Sequence, residues 1–150
     1  YLSGSYSSQT FYVNVTINAK STFDSCSFYG NVKIDGNADV TLTGTTNIYN
    51  GTLTIEEGST LTNSGNLSSV FVSSPTSLQG IPPLILVYGK LTNDENSVIS
   101  ASINKAPFFF PTAGNITLET DSTLTNSGTI KGNIIQETGS TLINNGIINE

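Results

Sequence analysis

Apolar residues recur at every sixth position over long stretches of this chain. Toward the C-terminus the series runs Leu118, Leu124, Ile130, Gln136, Leu142 and Ile148, broken only by Gln136, and earlier Ile55, Leu61 and Leu67 keep the same step. Two residues before each stands a second inward candidate, either aliphatic (Leu53, Ile116, Ile134) or small (Ser59, Gly65, Ser122, Gly128, Ser140, Gly146). Alternation of period two marks a strand. Here it lasts for one short segment in each six residues, so a turn must follow. Neither a helix nor a long hairpin strand has that period. Three short strands per turn predict a triangular coil, and stacked coils would set Leu61, Leu124 and Leu142 in equivalent inner positions with Thr, Ser and Asn in outward ladders. The Asn-Ser-Gly and Asn-Asn-Gly steps at 63–65, 126–128 and 144–146 supply residues tolerant of positive φ, as corners require.

Three near-copies carry this pattern: GSTLTNSGNL from Gly58, DSTLTNSGTI from Asp121 and GSTLINNGII from Gly139. Each follows a matching half (GTLTIEE from Gly51, GNITLET from Gly114, GNIIQET from Gly132), so the unit is about 18 residues long. Weaker echoes begin at Gly30 and Gly89. The interval fails across 68–112, which holds all five prolines and two apolar runs, Ile81 to Tyr88 and Phe108-Phe109-Phe110. The expected architecture is all-β: one β-solenoid domain over 11–150 of about seven coils at roughly 20 residues each. A polar segment, 1–10, precedes it, and 68–112 is irregular, either an insertion or an irregular pair of coils. An antiparallel β-sandwich, as in donor-strand filament subunits, is the alternative.

The repeats resemble those of parallel β-helix surface proteins and adhesin passenger domains, over 13–67 and 114–150. The six-residue interval is also similar to that of hexapeptide-repeat solenoids. The resemblance implies architecture rather than activity. Hexapeptide-repeat enzymes use a His base, and pectin-degrading β-helices use Asp with Lys or Arg clusters, neither of which this chain offers.

Composition narrows the function further. Ser, Thr, Asn and Gly supply 72 residues, charged residues are 11% against a usual ~25%, and there is no His, Trp, Met or Arg. Without His there is no Ser-His or Cys-His pair and no common zinc site, so the chain is not expected to be an enzyme or to carry a cofactor or metal. A net charge of −6 and five scattered lysines argue against nucleic acid as a partner. The longest apolar stretch, 81–88, is interrupted by Pro82 and Pro83 and is too short to span a bilayer. A start at Tyr1-Leu2-Ser3 reads as a processed chain or an excised fragment, and export to an extracellular or cell-surface location is the simpler expectation.

Several residues are candidates for chemistry. Sequons at Asn14, Asn50, Asn66 and Asn115 would be glycosylation sites in a secreted chain. Cys26, flanked by Phe23 and Phe28, reads as a small buried hydrophobe. Thr-x-Thr pairs (Thr41/Thr43, Thr52/Thr54, Thr60/Thr62, Thr123/Thr125) suit outward strand positions and fall at different places in their coils, so they are not expected to form one plane. Asp94, Glu95 and Asn96 read as turn residues rather than Ca²⁺ ligands. Glu56, Glu57, Glu119 and Glu137 would form a carboxylate ladder on one face.

The function expected is structural: a subunit of an extracellular filament or surface layer, a homo-polymer joined by strand addition or end-to-end stacking. Tyr1, Leu2 and Tyr6 would anchor an added strand on a neighbour, and Ile147 and Ile148 would sit in an uncapped last coil; either Leu84, Leu86 and Phe109 cover one face of the solenoid as core or Phe108, Phe109 and Phe110 meet another subunit. The alternative is an adhesin or carbohydrate-binding module whose ligand touches Tyr88 and the three phenylalanines.

Overall fold

The structure, a computed structural model, describes residues 1–73, 80–105 and 110–150. An opening partial coil holds β1 (Leu2–Ser7) and β2 (Thr10–Phe11). The first complete coil comprises the long β3 (Val15–Asp24) and β4 (Ser27–Tyr29). Then come β5 (Val32–Ile34), β6 (Asp39–Thr43) and β7 (Thr45–Tyr49), followed by β8 (Leu53–Ile55), β9 (Thr60–Asn63) and β10 (Asn66–Ser73). The next coil is β11 (Ile85–Val87), β12 (Lys90–Asn93) and β13 (Val98–Lys105), after which β14 (Phe110–Ala113) runs back antiparallel along β13. The last two coils are β15 (Asn115–Leu118), β16 (Thr123–Asn126), β17 (Thr129–Lys131) and β18 (Asn133–Gln136), β19 (Thr141–Asn144), β20 (Ile147–Asn149).

All other pairings among the described strands are parallel, which makes the molecule a three-faced β-solenoid and rules out the antiparallel sandwich. The first face stacks the start of β3 with β5, β8, β11, β15 and β18, and the second stacks β1, the end of β3, β6, β9, β12, β16 and β19. Because β3 serves both, these faces join into one 12-stranded sheet, while the third face is an eight-stranded sheet through β2, β4, β7, β10, β13, β17 and β20, with β14 at its side.

Parallel stacking in register puts like residues above like. One inner column is Val40, Leu61, Leu91, Leu124 and Leu142; a second is Val15, Val32, Leu53, Ile85, Ile116 and Ile134; a third is Thr46, Leu67, Ile99, Ile130 and Ile148. Most of these side chains are fully buried. Burying one Leu or Ile is worth roughly 1.5–3 kcal/mol, so these columns, not surface charges, hold the coils together.

Two sequence expectations need correction. The segment 1–10 is not free of the solenoid: β1 pairs with β3 of its own chain, and Tyr6 stacks on Phe23 at 5.0 Å. The stretch 68–112 contains a regular coil, β11 to β13. Its interval is hidden because Val87 to Leu91 is four residues and Leu91 to Ile99 is eight, a deletion at one corner made up by an insertion at the next. The net extra length lies at the corner between the third and first faces, where Ile85 follows Leu53 by 32 residues and Ile116 follows Ile85 by 31, against 18 from Ile116 to Ile134.

Candidate functional site

The corner between the second and third faces departs most from its sequence reading. Asn63, Asn126 and Asn144 are not among the residues with positive φ. Each lies two positions after a core Leu, so strand alternation sends it inward too. Asn63, Asn93 and Asn126 are fully buried, and the Nδ2 of each donates to the Oδ1 of the next coil's Asn: Asn63 to Asn93 at 2.9 Å, Asn93 to Asn126 at 2.8 Å, Asn126 to Asn144 at 2.8 Å. The same amides also donate to the main-chain carbonyls of Val98, Thr129 and Ile147. The glycine two residues on is needed for close approach rather than for a left-handed backbone, since a Cβ at Gly128 would fall on the Ser97 carbonyl oxygen. The signal for the ladder was present in Leu-x-Asn at 61–63, 91–93, 124–126 and 142–144.

At the opening end the same position is apolar. Tyr6, Phe11, Phe23 and Phe28 form one aromatic cluster, with Phe11 stacked on Phe28 at 4.9 Å, and buried Cys26 packs into this core. Leu2 and Tyr6 are half-buried against the core and Tyr1 is exposed, so two of the three proposed anchors are occupied within the chain. At the closing end Ile148 packs partly against the core beside Ile134 and Leu142, and Ile147 is exposed. Phe108 and Phe109 lie outside the described residues, and Phe110 is described only by its place in β14.

Of the sequons, Asn14, Asn50 and Asn66 are exposed and Asn115 half-buried. Asn14 Oδ1 accepts from the Asn31 amide and Asn50 Oδ1 from the Val72 amide, both at 2.9 Å. Thr22, Thr41, Thr62, Thr92 and Thr125 form one outward column on the second face, with Thr60 and Thr123 in the next column. The Thr60/Thr62 and Thr123/Thr125 pairs therefore do share a plane, contrary to expectation, because each keeps the same distance to its neighbouring core Leu. Three further exposed or half-exposed side chains, Tyr12, Tyr29 and Tyr49, stack at 5.1 and 4.7 Å on the third face; their spacing of 17 and 20 residues was the overlooked signal.

The acidic residues are arranged differently from a continuous ladder. Main-chain bonds place Asp35, Glu56, Tyr88, Glu119 and Glu137 in one column at the corner between the first and second faces, so Tyr88 separates Glu56 from Glu119. Lys33 Nζ lies 3.2 Å from both Asp35 and Glu56. Hydrogen bonds to Glu56 and then Asp35 raise the Lys33 pKa, while the Gly36 amide and then Lys33 hold the Asp35 carboxyl below its usual range. Asp94 accepts from the Ser64 hydroxyl and its carbonyl from the Ser97 amide, and Asn96 is left-handed, so this trio closes a corner.

No helix among the described residues is long and apolar enough to cross a membrane. No protein-family model, curated protein or solved structure matches the chain.

Proposed function

We propose that this chain is a structural unit of an extracellular filament or surface layer, grown by stacking β-layers end to end. The observation that supports the reading is the repetition of one layer in strict register, ending at β1–β2 and β18–β20, which pair on one side only among the described residues. Open parallel edges offer main-chain N–H and C=O groups to another strand. Leu142 and Ile148 are only partly buried there, whereas Leu124 and Ile130 one coil inward are fully buried, so a further β-layer stacked on this end would complete their burial. The added-strand route loses its strand, since β1 is paired at home, and stacking remains. Sparse charge and outward Thr, Ser and Asn favour an extracellular setting like that of adhesin passenger domains, with glycans on the exposed Asn14, Asn50 and Asn66.

Negative-stain microscopy and sedimentation of the purified chain test this. Fibres one solenoid wide are expected, and Ile147→Lys with Ile148→Lys should abolish them while the far-UV β signal persists. A monomer at every concentration, or fibres that survive both lysines, overturns the proposal.

A further inference from the structure

We propose that the corner closed by Tyr88 and Gly89 is a binding notch for a saccharide ring, a function independent of end-to-end stacking. Between the first and second faces, four coils turn with four residues each: 35–38, 56–59, 119–122 and 137–140. Each contains a left-handed residue, at Asn37, Gly58, Asp121 and Gly139. The coil between β11 and β12 turns with two. The amides of Tyr88 and Gly89 both donate to the Ile55 carbonyl, at 2.8 and 3.0 Å, which pulls the chain tightly across the corner. Gly89 is required, because a Cβ there would land on the carbonyl oxygens of Ser59 and Glu56.

The shortcut removes one layer from the corner. The turns on either side, at Gly58 and Asp121, belong to coils two strand spacings apart, so a slot about 4.8 Å high is left between them. It encloses about 330 Å³ and is lined by Glu57, Thr60, Tyr88, Lys90, Thr120 and Asp121 among others. That volume is at the small end of ligand sites and suits one or two sugar rings.

The lining selects the ligand class. Tyr88 is 37% exposed and offers an aromatic surface to the C–H face of a ring. Glu57 and Asp121 accept hydrogen bonds from hydroxyls, Lys90 donates, and Thr60 and Thr120 do either. A wholly apolar ligand would desolvate these groups without partners. An anion would face two carboxylates, and a bare cation would face Lys90. A neutral or amino sugar meets every group with a complementary one. Ser59 also lines the notch; its buried hydroxyl lacks a partner, whereas the equivalent hydroxyls of Ser122 and Ser140 donate to the carbonyls of Glu119 and Glu137, so this corner has lost a bond its neighbours keep.

The test is an amide-resolved NMR titration of the ¹⁵N-labelled 150-residue chain with glucose, mannose, galactose, N-acetylglucosamine and glucosamine, each separately, and with CaCl₂. Saturable shifts at Gly58, Tyr88, Gly89, Lys90 and Asp121 with at least one sugar are expected. Asp121→Asn, which tolerates the left-handed backbone, should weaken the affinity about tenfold. Replacing Tyr88-Gly89 by the four-residue turn Glu-Thr-Asp-Ser should fill the slot and abolish the shifts with the solenoid intact. If no sugar moves these amides, if Ca²⁺ alone does, or if the filled turn still responds, the proposal fails.

Discussion

One inner column runs the length of the second face and changes chemistry midway. Toward the opening end it is Tyr6, Phe23 and Leu42; from the third complete coil onward it is Asn63, Asn93, Asn126 and Asn144. The backbone position is the same in both halves, yet the forces differ. In the aromatic half stability scales with apolar area and shape, so each residue contributes largely on its own. In the amide half Asn93 and Asn126 each accept from the coil before and donate to the coil after, so the worth of each depends on its neighbours. A buried polar column is sustained only when unbroken; a buried apolar one tolerates gaps at the cost of the gap.

The sharpest way to break the comparison is Phe23→Ala. Phe23 is fully buried among Tyr6, Phe11 and Phe28, and its truncation should cost about 3–5 kcal/mol in denaturant unfolding. A loss below about 1 kcal/mol would mean that the opening coils collapse around the cavity or contribute little.

Asn93→Leu comes next. It leaves the Asn63 amide and the Asn126 carbonyl each without a side-chain partner, at roughly 1–3 kcal/mol. The double change Asn93→Leu with Asn126→Leu should cost less than the two single changes added, because the second removes an orphan created by the first. Strict additivity would show that the amides act independently and that the contrast between the halves is wrong.

The smallest effect lies on the surface of the aromatic half. Asp35 has a depressed pKa, so its contribution is present above the ordinary Asp value of about 3.9 and is lost as pH falls through the folded-state value. Lys33 is raised, so its share holds below the usual Lys range and is lost above it. Lys33→Met should therefore lower the thermal midpoint slightly at pH 7, and the difference from the parent should vanish once the pH has fallen below the folded-state value of Asp35. A difference that persists there would assign the effect to packing of the lysine stem.

Much of this was written in the chain. The step of six gave the inner column of Leu61, Leu124 and Leu142, because unbroken 18-residue units keep every corner the same length. The coil from Ile85 to Lys105 was legible only as a weak echo from Gly89: with corners of unequal length its core residues Val87, Leu91 and Ile99 fall out of step, although each still lies over its partner. The Asn ladder was misread because Asn before Gly is also the signature of a turn, and only the preceding Leu at period two tells them apart. Strand β1 was expected on a neighbouring copy rather than on its own chain, because Leu2-Ser3-Gly4-Ser5-Tyr6 lies outside the step of six and its partner, β3, is the strand that bends between two faces. The notch is a feature of what one coil lacks relative to its neighbours, visible only once the coils are aligned.

The two longest coils gain their length at the same corner, after β10 and after β13. Closing a coil of 32 residues rather than 18 costs only about 0.5 kcal/mol more in chain entropy, since the penalty grows with the logarithm of length. That corner is therefore a permissive site in the engineering sense: a peptide tag that doubled the length of a 32-residue coil would slow its closure only about threefold, while the strands on either side still find their register.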